Sequence, residues 1–194
     1  MEALLIALTV FAFLLIVFLV LAFRFPEDLK KLLGRVTSVE VTKGGLKIAL
    51  VAAAIHEKEK RTPDEAEILP LVKNIPAGRR VLWVDDLPAN NRAEIQALRG
   101  LGLTVDTATS NAEALAYAKS NMYDLVLSDI GRSAPEAATA GLALPEVLEK
   151  INVRVPIAFY VGEATNPTTP SGQPVFDTPT QLLAWIGDHL QGTR

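Results

Sequence analysis

Two apolar runs of this chain end in carboxylates. "VLWVDDLP" (81–88) closes on Asp85 and Asp86, and "LVLSDIGR" (125–132) delivers Asp129 directly after Leu125 to Ser128. One aspartate at a strand end is ordinary, because Asp caps helices and makes turns. Two strand ends that converge would bring together three carboxylates whose mutual repulsion calls for protonation, a basic neighbour or a divalent cation. Mg²⁺ is the cation this chemistry suits, since it takes one or two carboxylates together with water and phosphate oxygens. Such a site would align a phosphoryl donor with a carboxylate nucleophile and yield an acyl phosphate at Asp129.

Convergence depends on the elements that carry these residues. From Arg80 onward, short apolar strands alternate with helices. Strands are expected at 81–84, 103–108, 123–129, 156–161 and 174–177. The helices are "NNRAEIQALRGLG", "SNAEALAYAKS" capped by Ser110, "GLALPEVLEKI" and "TPTQLLAWIGDHL", the last with Leu182, Leu183, Ile186 and Leu190 inward. Strands without polar alternation, separated by helices, predict a parallel sheet covered on both faces. Five strands in about 115 residues fit an α/β, flavodoxin-like doubly wound sheet of order 2-1-3-4-5, with the ligand crevice at the carboxyl ends of the strands. The first and third strands are then neighbours, which places Asp85, Asp86 and Asp129 at one edge.

Upstream of this domain (80–194) two further regions are expected. Residues 1–25 read as a membrane anchor. Ala3 to Phe23 carries no charge, and about 21 residues at roughly 1.5 Å each cover the hydrocarbon core of a bilayer. The Met1-Glu2 start and the bulky Phe23-Arg24-Phe25 exit argue against a cleaved signal peptide. Arg24, Lys30, Lys31 and Arg35 follow the span, predicting a single-pass inner-membrane protein with its C-terminal domain in the cytoplasm. Residues 26–79 read as juxtamembrane: an interfacial helix, then a β-hairpin turning at Lys43-Gly44-Gly45 with Leu46, Ile48 and Leu50 on its second arm, then a helix over "ALVAAAIHEKEKR". The hairpin is a candidate for pairing between copies of the chain. A short helix is expected from a Thr62 cap with Pro63 in its first turn. Pro70, Pro76 and Gly78 suggest a connector, and a domain boundary near 73–79.

Composition removes several classes. The net charge is -3, so no basic field exists for nucleic acid. With no cysteine there is neither a disulfide nor thiolate chemistry. No Walker-type glycine loop occurs. His56 and His189 are isolated and read as surface or helix-end residues, Trp83 and Trp185 as packing residues, and Tyr160 as a core or rim residue.

The stretch from Val81 to Arg132 resembles the first half of the receiver domain of two-component response regulators, and the resemblance extends more loosely over about 80–191. It implies that Asp85 and Asp86 are the acidic pair, that Asp129, 43 residues after Asp86, is the phosphoacceptor, and that Gly131 lends a backbone carbonyl to Mg²⁺. The second half departs from the pattern. Val161 stands where the family has a switch Ser or Thr, and Thr178 precedes Pro179 where it has a lysine. Arg132 is read first as a solvated loop residue and second as an auxiliary phosphate partner. Between Val161 and Pro174 there is no room for a full helix.

The resulting expectation is a membrane-tethered, atypical receiver-like module with no enzymatic activity beyond phosphoryl acceptance. It would act through a protein partner, a kinase or effector, or through homo-oligomerisation. A phosphorelay receiver modified at Asp129 is the alternative. A nucleotide-processing enzyme on the same scaffold, resembling nucleosidase or TIR-type domains, is a third reading, with Glu163 as its catalytic carboxylate.

Overall fold

A computed structural model describes residues 43–131, 139–162, 169 and 172–191. The apolar segment 3–23, the first arm of the expected hairpin, Arg132 and Glu163 lie outside the described residues. Among the described residues no helix is long and apolar enough to cross a membrane.

Two helices precede the sheet, α1 (Lys43–Glu59) and α2 (Glu65–Lys73). The sheet and its helices then follow as β1 (Arg80–Val84), a 3-10 turn (Pro88–Asn91), α3 (Arg92–Gly100), β2 (Thr104–Ala108), α4 (Asn111–Ser120), β3 (Leu125–Ser128), α5 (Ala140–Glu149), β4 (Ile157–Tyr160), β5 (Val175–Phe176) and α6 (Pro179–Gln191). All five strands are parallel, in the order β2-β1-β3-β4-β5. The expected doubly wound sheet is therefore present, and β1 and β3 are neighbours.

Pleating sends alternate residues to opposite faces. Val81, Trp83, Leu125, Leu127, Ala158 and Tyr160 join one apolar cluster, which α1, α3 and α6 complete with Val51, Ile55, Leu98, Leu182 and Ile186. Leu82, Val84 and Val126 face the other way, against Ala114 and Ala118 of α4 and Leu144 and Leu148 of α5. Ser110 caps α4 as its sequence position implies, accepting from the Glu113 N–H at 3.1 Å.

Upstream of the sheet the structure corrects three expectations. Lys43 to Leu50 is helical, so the second arm of the hairpin does not exist. The glycines that suggested a turn sit in the first turn of α1, where missing side chains cost helix propensity but no geometry. The residues that decide the matter lie further on: Val51, Ala54 and Ile55 are fully buried at helical spacing. Second, α2 is capped by Asp64, not Thr62; the Asp64 carboxylate accepts from the Glu67 N–H at 2.8 Å. Third, Pro70 lies within α2 and not in a connector. The compact unit that contains the sheet begins at Leu46, upstream of the composition shift near 73–79, because α1 and α2 bury Val51, Ile55 and Ile68 in the same cluster as the strands.

If α1 is a core element, Ile55→Ala should lower the unfolding free energy by about 2–5 kcal/mol. Leu46→Ala, at a side chain 50% exposed, should change it by no more than about 0.5 kcal/mol. Urea denaturation of the two variants beside the parent measures both.

Candidate functional site: an acidic cleft at the strand ends

The site is built by register. Val84 of β1 lies opposite Ser128 of β3. The next residue on each strand is an aspartate, so Asp85 and Asp129 leave the sheet side by side. Backbone bonds hold both in place: Asp85 N–H donates to the Ala108 carbonyl at 2.9 Å, and Asp129 N–H to the Val84 carbonyl at 2.8 Å. Gly141 of α5 sits so close to the Asp129–Ile130 backbone that a Cβ there would overlap the Asp129 carbonyl oxygen. That approach requires glycine, and it presses α5 against the strand end that carries the aspartate.

Carboxylate oxygens of Asp85, Asp86 and Asp129 all lie within 4.8 Å of one another. Asp85 is 3% exposed and is firmly held. Its Oδ1 accepts from the Leu87 N–H at 2.8 Å and its Oδ2 from the Asn91 side-chain amide at 2.5 Å. The 3-10 turn after β1 exists to bring Asn91 back over the strand end. Asp129 is less favoured as an anion. Partial burial, then the neighbouring charge of Asp85, pushes its pKa up to about 6, against the pull of the Ile130 and Gly131 backbone N–H groups.

A cleft of about 320 Å³ opens above the three carboxylates. Gly131, Asn90, Tyr160 and Gly162 complete its walls, with Lys58 reaching in from α1. Val161 and Thr178 are not among the lining residues. Val161 donates its N–H to the Phe176 carbonyl in the sheet ladder. The Thr178 hydroxyl lies 3.5 Å from the Gln181 nitrogen at the start of α6. The sequence reading missed Lys58 and Asn91 and left Tyr160 undecided. Lys58 was hidden in a charged run, although it follows Val51, Ala54 and Ile55 by seven, four and three residues, which puts it on the buried face of α1. Tyr160 is 1% exposed. Its hydroxyl donates to the Glu94 carboxylate at 2.8 Å, and its ring packs edge-on against Trp83 at 5.7 Å. His56 and His189 are exposed, as expected.

The donor set is all oxygen and carries three formal negative charges at one spot. Hard divalent cations answer that chemistry, and thiophilic metals do not. Asp85 and Asp86 with Asp129 would hold such an ion, and the volume above them leaves room for water and one small anion.

The doubly wound five-stranded sheet has the fold of solved response-regulator receiver domains. Solved structures of that class superpose on this chain. The response regulator TrrA of Thermotoga maritima, determined with Mg²⁺ and BeF, is 24% identical over 58% of this chain and 99% of its own, with a TM-score of 0.50. The Francisella response regulator 1452 receiver domain is 20% identical over 60% of this chain and all of its own, with the same score. The response regulator PhyR of Brucella abortus is 21% identical over 66% of this chain, which spans 53% of PhyR, with a score of 0.52. At these identities the likeness is one of fold. No protein-family model matches the chain, and no curated protein matches it.

The raised Asp129 pKa has a defined sign. Its carboxyl ionises near pH 4 in the unfolded chain and at about 6 in the fold, so folding favours the protonated form. The resulting stabilisation is complete below about pH 4 and is lost as pH rises through about 6. In cation-free buffer, Asp129→Asn should unfold at the same denaturant concentration as the parent below pH 4 and at a higher one above pH 6. Mg²⁺ should stabilise the parent at pH 8 and leave the variant nearly unchanged. Denaturation curves from pH 3.5 to 8 decide it; equal midpoints throughout would mean that Asp129 ionises freely.

Proposed function

We propose that this protein is a receiver-like signalling module that binds Mg²⁺ at Asp85, Asp86 and Asp129 and accepts a phosphoryl group on Asp129. The observation that supports the reading is the convergence of three carboxylates within 4.8 Å under a cleft with room for a small anion. The chemistry is a displacement at phosphorus. An Asp129 oxygen attacks the phosphorus of a small or protein-borne donor, the bond from phosphorus to the leaving group breaks, and the leaving group departs with its electron pair. The product is an acyl phosphate, a mixed anhydride on the side chain. At neutral pH a carboxyl that titrates at about 6 is mostly ionised and so able to attack. A cation held by Asp85, Asp86 and Asp129 would supply positive charge to the transferring group, with the Gly131 carbonyl as a candidate further oxygen ligand.

The signal would leave by protein contact. The hydroxyl and lysine that would report occupancy through β4 and β5 are replaced by Val161 and Thr178, so the readout differs from the usual one. The apolar segment 3–23 would tether the module to the membrane with the sheet on the cytoplasmic side, and self-association beside the membrane would be one means of output.

The test is chemical. With Mg²⁺ and acetyl phosphate, intact-mass analysis should find a single phosphoryl addition, absent in Asp129→Asn. Asp86→Asn should weaken Mg²⁺ binding by about tenfold or more, since it removes one of the three carboxylates that would hold the ion. A chain that binds no Mg²⁺, or one phosphorylated equally without Asp129, would end this reading.

A further inference from the structure

The cleft holds an imbalance that Mg²⁺ alone does not resolve. Phosphorylation of Asp129 would exchange its single carboxylate charge for the larger charge of a phosphoryl group beside Asp85 and Asp86, and a divalent ion offsets only part of that. Among the described residues lining the cleft, the one cationic side chain is Lys58. It comes from neither strand end nor any loop of the sheet. It belongs to α1, the helix that precedes the sheet.

Three features fix Lys58 there. Its neighbours on the same face of α1, Val51, Ala54 and Ile55, are fully buried in the core, so the face cannot turn away without exposing them. The residue after it, Glu59, grips the start of α6: one Glu59 oxygen accepts from the Thr180 N–H at 3.1 Å and from the Thr180 hydroxyl at 2.7 Å. Arg61 donates to Thr180 as well, at 3.1 Å, and to both oxygens of Glu67. Finally, the Lys58 ammonium lies 5.3 Å from the centre of the Tyr160 ring, a cation–π contact that holds it over the apolar wall of the cleft and not out in solvent. Tyr160 is itself held by the buried Glu94.

We propose that Lys58 is the anion-pairing residue of the acidic cleft, and that it couples occupancy of the cleft to α1. The proposal rests on the phosphoacceptor reading above. A phosphoryl-like anion bound at Asp129 would draw the ammonium from the Tyr160 ring onto its own oxygens. Because Lys58 is part of α1, occupancy tightens α1 against the sheet. The coupling then runs through α1, and not through Val161 and Thr178, which are not among the residues lining the cleft.

The test separates the cation from the anion. The full chain in detergent is titrated by calorimetry with Mg²⁺ alone, and then with beryllofluoride at saturating Mg²⁺. Lys58→Met keeps the aliphatic body of the side chain and removes the charge. It should weaken beryllofluoride binding by about tenfold or more, while Mg²⁺ alone binds as tightly as to the parent or more tightly, since a repelling charge is gone. Lys58→Arg should restore most of the loss. Hydrogen exchange should slow along α1 when the parent takes up beryllofluoride, and not in Lys58→Met. Lys58→Gln is the second neutral variant, should Met disturb the fold by circular dichroism. If Lys58→Met or Lys58→Gln binds beryllofluoride as well as the parent, or if α1 exchange is unmoved in the parent, the proposal is overturned while the phosphoacceptor reading stands. If the parent binds Mg²⁺ but no beryllofluoride, the phosphoacceptor reading itself fails and carries this inference with it.

Discussion

The pairing register of β1 and β3 is the constraint on which the site depends. Val84 opposite Ser128 puts the first residue beyond each strand at the same height, and both are aspartates. A slip of one residue would turn one of them to the other face of the sheet and part the carboxylates. The register is secured at the far end of the same strands, where Asp124 just before β3 accepts from the Arg80 N–H at 2.7 Å and from the Arg79 guanidinium at 2.9 Å. Apolar side chains buried on both faces then leave no alternative pairing that keeps the core closed. A stable sheet thus supports an unfavourable concentration of charge at its edge.

How that charge is tolerated differs from residue to residue. Asp85, nearly inaccessible, has its two oxygens bonded by the Leu87 N–H and the Asn91 amide, which replace the water lost on burial. Asp129 has backbone donors from Ile130 and Gly131, but these do not outweigh its burial and the charge of Asp85, and its ionisation is displaced upward. One carboxylate is therefore tightly bonded and the other has its ionisation opposed, by environment alone. A cation held between the two would offset the remaining repulsion and favour the ionised form of Asp129.

The sheet and its acidic edge were legible in the sequence because parallel strands buried on both faces leave a pattern few other structures share: short apolar runs, helices between, and polar residues only at the ends. Strand order followed from the doubly wound arrangement, and that order made Asp85 and Asp129 neighbours. The region before the sheet was misread because its signals were local. Gly44 and Gly45 look like a turn, and Leu46, Ile48 and Leu50 alternate over too short a span to separate strand from helix. The deciding periodicity runs on to Ile55 and Lys58. Asn91 was illegible for another reason: its role depends on a single 3-10 turn that folds back over β1, and no period announces such a turn. The contact between Tyr160 and Glu94 joins residues 66 apart, a pairing that no local pattern in the sequence contains.

Holding α1 on the sheet and aiming it are separate tasks performed by different forces. Val51, Ala54 and Ile55 supply the hold, since burying such side chains contributes about 1.5–3 kcal/mol for each of the larger two. The ion pairs of Arg61 with Glu59 and Glu67 stand partly in solvent, where water screens them. They add little to stability, yet they are directional where apolar contact is not. A helix packed only by Val51, Ala54 and Ile55 would be free to slide along its axis by small amounts at little cost. Glu59 bonded to both the N–H and the hydroxyl of Thr180 removes that freedom, because two bonds to one residue fix a position and an angle together. The residue whose placement is thereby determined is the one just before it in the chain, Lys58. The wall of the cleft that carries positive charge is thus set by the start of α6, and the wall that carries negative charge by β1 and β3.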